Sequence, residues 1–199
     1  LFVDDDGKVY FYWGCANMTP IWGVEMDPET MHPKTEKVEL IHGNWNEVGY
    51  ERNGEDHCDP PLSDEALEAA YKKFLESHGG EDAVANIPDS LKIMMKGFLS
   101  NRPYIEGAWM NKHDGKYYLY YCLAGGGDDE GVAVSSSPYG PFKNGKVMEG
   151  AKGIDPSVFI DDDGQAYLYW GQGYAKGAKL SKDMLSIEGA VHDSLLTYE

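Results

Sequence analysis

Two nearly identical stretches stand far apart in the chain, LFVDDDGKVYFYWG at residues 1–14 and VFIDDDGQAYLYWG at 158–171, and a looser copy, WMNKHDGKYYLYYC, occupies 109–122 between them. Each is an apolar run, an Asp-Gly pair and an aromatic-rich run. Asp-Gly suits the tight turns that join twisted antiparallel strands, so each copy predicts a β-hairpin. Aligned on Gly7, Gly115 and Gly164, the copies superimpose Tyr10, Tyr118 and Tyr167, then Phe11, Leu119 and Leu168. Further strand-like segments follow each hairpin, at 21–28, 131–142 and 177–184. The repeat therefore predicts small antiparallel sheets of three or four strands, the pattern of propeller blades whose innermost strands converge on a central axis.

One segment breaks the repeat. SDEALEAAYKKFLESHGG (63–80) places Ser63 as an N-cap, acids in the first turn, Leu67, Tyr71, Phe74 and Leu75 on one face, and Gly79 as a stop. Pro88 opens a second helix carrying Leu91, Met94, Met95 and Phe98, which ends before Arg102-Pro103. This helical insertion, at about 60–100, is expected over one end of the sheets with its apolar residues in a core, the alternative being a Met-rich surface for a partner.

Composition narrows the partners. With 17 Lys and Arg against 34 Asp and Glu, a net charge of -17 argues against nucleic acid, because phosphate backbones demand clustered cations. No apolar run approaches the roughly 20 residues that span a bilayer, so no membrane partner is expected. Aromatic residues make up 13% of the chain, including 14 Tyr and 5 Trp, which suits strands and stacking against flat ligands such as sugar rings. Cys15, Cys58 and Cys122 show neither pairing nor metal-ligand spacing, and the histidines, His57 and His113 among them, form no metal motif.

The repeat also sorts the acids. Asp155 stands nine residues before Gly164, and Glu106 nine before Gly115, while the equivalent place in the first hairpin falls before Leu1. Asp4, Asp5 and Asp6, like Asp161, Asp162 and Asp163, belong to hairpin turns, where aspartate bonds its own backbone; DDDG lacks the spaced oxygens of a calcium loop. Two carboxylates at equivalent inner positions beside aromatics suggest glycoside hydrolysis, in which one carboxyl group protonates the leaving oxygen and another acts on the opposite side.

RPYIEGAWMNKHDGKYYLYY, GVAVSSSPYGPF and GIDPSVFIDDDGQAYLYWG together resemble glycoside hydrolase family 43, the arabinofuranosidases, xylosidases and arabinanases. The resemblance implies an all-β fold of the five-bladed β-propeller type. Residues 1–199 would hold roughly three blades and the helical insertion of one catalytic domain. It also implies hydrolysis, with inversion, of arabinofuranosyl or xylosyl linkages in plant polysaccharides such as xylan. Members use a first-blade Asp as general base, a second Asp that tunes and orients, and a Glu as general acid. The acid matches Glu106 in YIEGAW, the tuning residue matches Asp155 in GIDPSVF, and no position matches the base.

Asp155 follows Glu106 by 49 residues, the reverse of the family order, so the chain is expected to be partial or rearranged, with residues 123–128 as the suspected junction. Arg102 and Tyr104 would line the mouth of the site. Trp109, on the opposite side of an ideal strand from Glu106, would be a pocket wall or a core residue. No cofactor is expected for the chemistry and no metal ligands are assigned, although the resemblance allows a structural calcium. The expected partner is a carbohydrate, with oligomerisation where the propeller is incomplete, in an extracytoplasmic setting. The alternative is a catalytically inactive carbohydrate-binding propeller, or a fragment needing a partner chain.

Overall fold

The structure, a computed structural model, describes residues 1–17, 19–41, 62–100, 104–124 and 129–195. They form three four-stranded sheets, each antiparallel and in chain order. Blade I is β1 (Phe2–Val3), β2 (Val9–Trp13), β3 (Ile21–Met26) and β4 (Val38–Ile41). Blade II is β5 (Tyr104–His113), β6 (Lys116–Ala124), β7 (Asp129–Ser135) and β8 (Lys143–Lys152). Blade III is β9 (Ser157–Ile160), β10 (Ala166–Trp170), β11 (Lys176–Leu180) and β12 (Ile187–His192).

The three hairpins do not share one turn. In blade II, His113 pairs with Lys116 across the two-residue Asp114-Gly115 turn, at φ 48° and 71°, as the Asp-Gly signal predicts. Blades I and III instead carry five residues between Val3 and Val9 and between Ile160 and Ala166. Their first aspartates close the loop alike: Asp4 N–H donates to Lys8 O at 2.9 Å, and Asp161 N–H to Gln165 O at 2.9 Å.

Alternation along the strands then joins the blades, because successive side chains of a strand point to opposite faces. Tyr10 and Tyr12 of blade I pack with Tyr117, Leu119 and Tyr121 of blade II in one core. Tyr118 and Tyr120 of blade II pack with Ala166, Leu168 and Trp170 of blade III in a second. The superposed pair predicted from the glycine alignment therefore separates cleanly. The tyrosine position faces the next blade, and the following position faces the previous one.

Asp4 does more than shape its turn. Its side chain is buried, its Oδ1 lies 2.5 Å from Lys112 Nζ, and its Oδ2 accepts the Tyr117 hydroxyl, both from blade II. Burial alone would raise the carboxyl, but the hydrogen bonds from Lys112 and Tyr117 outweigh it and hold Asp4 below the usual carboxylate range. The repeat-equivalent Asp161 is exposed.

Between blades I and II stand α1 (Asp64–Ser77), a short 3-10 turn (Glu81–Val84) and α2 (Asp89–Leu99). Ser63 Oγ accepts the Ala66 N–H at 3.2 Å, and Leu67, Tyr71 and Leu75 are buried, as the pattern predicts. The second helix departs from expectation. Leu91, Met94 and Phe98 are exposed, Phe98 by 69%, and the buried residue of α2 is Gly97. The reason is steric: a Cβ on Gly97 would lie 3.1 Å from Asn17 Oδ1, so the helix docks through its one side-chain-free position and turns its apolar stripe outward. Lys96 ties it to Glu68 of α1.

Leu67→Ala should cost about 2–5 kcal/mol, whereas Phe98→Ala should cost under about 0.5 kcal/mol, as urea titrations will show. Asp4→Asn should cost about 1–3 kcal/mol at pH 7. Because the folded carboxyl titrates below its unfolded value of about 3.9, its contribution is complete above that value and is lost as pH falls through the folded one. The Asp4→Asn deficit should therefore shrink as pH falls below about 4.

Candidate active site

The inner ends of blades I and II are stitched together just where β5 begins. Ala16 N–H donates to Ile105 O at 3.1 Å and Ile105 N–H to Ala16 O at 3.0 Å, with Ile105 fully buried. The bridge joins the segment after β2 of blade I to the start of β5 of blade II. Cys15, one residue before the bridge, reaches Glu106, one residue after it: Cys15 Sγ is 3.1 Å from Glu106 Oε2 and 2.9 Å from Tyr104 Oη.

Glu106 sits at a β-bulge. It pairs with Cys122, whereas Trp109 pairs with Tyr120, so β5 holds one extra residue in this interval. The bulge offsets the difference in turn length. Continuing the two-residue-turn register of blade II would put Gly107 opposite Cys122, and the extra residue returns Glu106 to that place. In blade III, where Ser157 pairs with Tyr169, the same register carries Asp155 to the level of Gly171. Glu106 and Asp155 thus stand at equivalent levels despite unlike turns.

They also meet. A Cβ on Gly107, at φ 70°, would lie 3.0 Å from Pro156 Cδ and 3.4 Å from Asp155 Cα. Only glycine permits so close an approach in this conformation. The Cys122 thiol lies between the two segments: it donates to Glu106 O at 3.7 Å and receives a backbone hydrogen bond from Asp155. Burial pushes that thiol well up.

Asp155 is itself exposed and adopts φ 63°, a left-handed conformation rare outside glycine, immediately before a proline. Such backbone strain costs about 1–3 kcal/mol and clusters at functional sites. It is held by neighbours: Gly171 N–H donates to Ile154 O at 2.7 Å, and Trp170 Nε1–H to Lys152 O at 3.0 Å.

The structure therefore gathers Cys15, Tyr104, Glu106 and Asp155 around the buried Cys122, where the three blades adjoin. Partial burial raises the Cys15 thiol, the Tyr104 hydrogen bond opposes this, and the Glu106 carboxylate raises it again, so the thiol stays protonated and donates. The hydrogen bond with Cys15, then burial, pushes Tyr104 up to about 12. Trp109 requires a correction. The bulge cancels its odd spacing, because Cys122 and Tyr120 share a face of β6, so Trp109 shares the face of Glu106. Its indole N–H donates to Asn111 Oδ1 at 2.9 Å and its ring is exposed.

Arg102 lies outside the described residues, as do Cys58, His57 and most of the suspected junction. Sequence reasoning misses Cys15 and Cys122, which show neither pairing nor metal-ligand spacing. Their signal was positional: Cys122 pairs with Glu106 on the neighbouring strand, and Cys15 lies just past β2 beside the bridge to Ile105. Among the described residues no three His, Cys, Asp or Glu side chains converge to hold a metal ion, so no calcium ligand is assigned.

Residues 101–198 match the model of glycosyl hydrolases family 43. Just under half of the chain is therefore similar to family 43. Xylosidase/arabinosidase 43A from Humicola insolens is 50% identical over 64 residues, 29% of this chain and 19% of that protein. A xylosidase/arabinosidase from Bacteroides ovatus is 40% identical over 81 residues, 39% of this chain and 25% of its own length. In fold, the GH43_1 enzyme from Xanthomonas citri complexed with xylotriose superposes with a TM-score of 0.56 at 18% identity, over 96% of this chain and 53% of that one. A β-xylosidase/α-arabinofuranosidase from a compost microbial metagenome, solved with xylotriose in a calcium-free form, gives 0.52 at 21% identity, over 96% and 56%. The chain thus spans a quarter or less of these curated relatives and about half of these solved structures, and its three sheets are blades of the β-propeller type.

The thiol geometry is directly testable. Alkylation followed by peptide mapping should label Cys15 in the folded chain and Cys122 only on unfolding. Glu106→Gln should accelerate Cys15 labelling at pH 8, because removing the carboxylate lowers the thiol pKa.

Proposed function

We propose that the chain is part of a propeller catalytic domain that hydrolyses xylosyl or arabinofuranosyl linkages with inversion, Glu106 acting as general acid and Asp155 as the residue that orients the sugar and tunes the site. The observation that carries this reading is the meeting of two carboxylate-bearing segments, at equivalent levels of adjacent blades, through Gly107. The similarity of residues 101–198 to family 43 and the names of the chain's relatives support the same chemistry.

Glu106 is held for its task from two sides. Its backbone is fixed by pairing with Cys122, and its carboxyl by the Cys15 thiol. The bulge presents its side chain at the mouth rather than along a flat strand. Proton donation to the glycosidic oxygen is the step this placement serves, and water attacks from the opposite face in an inverting route. Trp109, exposed on the same face, offers a ring on which a pyranose or furanose can stack, and Tyr104, whose hydroxyl is held by Cys15, closes the edge of the mouth.

The test lies in the leaving group. General acid catalysis contributes about 10²–10⁴-fold, and most where the leaving oxygen is poorly acidic. Glu106→Gln should therefore lower kcat on xylotriose or an arabino-oligosaccharide by that range, while a nitrophenyl glycoside with its good leaving group loses far less. Equal losses on both would reject Glu106 as the acid. Sugar binding by the parent without turnover of any of these substrates would reject hydrolysis itself.

A further inference from the structure

Asp155 holds a backbone conformation that its own sequence opposes twice. Its φ of 63° lies in the left-handed region, and the proline that follows favours an extended residue before it. Rotation toward the extended region would relieve both costs, so neighbouring groups must hold the residue where it is. Gly171 N–H donates to Ile154 O, one residue earlier. The Cys122 thiol, from blade II, accepts the N–H of Asp155 itself.

The same sulfur meets the other carboxylate-bearing segment. Cys122 is fully buried near the end of β6, is paired with Glu106 of β5, and donates from Sγ to Glu106 O at 3.7 Å. Burial keeps the thiol protonated, so it can give a hydrogen bond to one segment while receiving one from the other. A Cβ on Gly107 would lie 3.4 Å from that sulfur and 3.0 Å from Cδ of the buried Pro156, so thiol, glycine and proline pack directly on one another. A thiol suits the place because it behaves as a small apolar group that still donates and accepts weakly.

We propose that Cys122 is a positioning residue: by taking a hydrogen bond from Asp155 N–H and giving one to Glu106 O, its thiol sets the spacing of the two carboxylates and the direction in which Asp155 presents its own. The proposal rests on the glycosidase reading, in which Glu106 protonates the leaving oxygen and Asp155 orients the sugar. Cys122 touches neither sugar nor reacting atoms and acts through the backbones on either side of it. A misplacement of about 1 Å at such a pair can cost about a hundredfold in rate.

Amide exchange followed by NMR in the isotope-labelled chain reads this clamp without any turnover. Cys122→Ala should speed exchange of the Asp155 N–H by about tenfold or more, while Leu168, in the middle of β10, exchanges as before. Cys122→Ser keeps a donor and an acceptor and should restore most of the protection. Cys122→Val fills the space without either bond, so it should behave like Cys122→Ala and replaces that variant if the smaller side chain prevents folding. On xylotriose, Cys122→Ala should lower kcat by about ten- to a hundredfold with KM changed far less. In an Asp155→Ala background the same change should cost less than about twofold, because the two residues act as one unit. Unchanged Asp155 exchange in both Cys122→Ala and Cys122→Val, equal acceleration at Leu168, or full additivity with Asp155→Ala would each overturn the proposal. A parent without turnover would overturn the glycosidase reading and the positioning role with it, whereas turnover by the parent with Asp155 exchange unmoved removes the clamp alone.

Discussion

Tyrosines that bury a ring in one blade and place a hydroxyl on the next are the interaction on which the rest of the fold depends. An aromatic ring brings the apolar area that two small sheets need in order to adhere, but the hydroxyl must find an acceptor once it is buried. Tyr12 finds Pro138 O, Tyr120 finds Met184 O, and Tyr117 finds the carboxylate of Asp4. Each bond crosses between blades, so the polar requirement that would otherwise oppose burial fixes the register of one sheet on its neighbour. The abundance of tyrosine follows from that double duty.

Stacking blades in this way gathers the strand ends that share one side of the sheets. The segment after β2, the start of β5 and the turn into β9 come from distant parts of the sequence, and each is held by backbone bonds: Ala16 with Ile105, Ile154 with Gly171. Glycine at 107 lets the last two approach to contact distance. The helical pair adds to this end, because Gly97 of α2 rests on Asn17, two residues past Cys15. The site is thus built on rigid strands and braced from one side by an insertion whose own apolar stripe faces outward.

Sequence determined the repeat units, the first helix and the two carboxylates, because each is encoded in short-range spacing: Asp-Gly between apolar runs, Ser63 before an amphipathic face, and nine residues from carboxylate to turn glycine. The outward stripe of α2, the burial of Asp4 and the face of Trp109 were decided only in three dimensions. The α2 pattern has helical period, but period cannot say whether anything packs on the stripe. Asp4 and Asp161 sit in the same DDDG string, and only the neighbouring Lys112 and Tyr117 make one of them an inter-blade latch. Trp109 changed faces because a bulge inserted one residue into β5, and an ideal two-residue alternation has no means of announcing it. The pairing of Cys15 with Glu106 likewise joins residues 91 apart in sequence, through a blade contact that local chemistry does not specify.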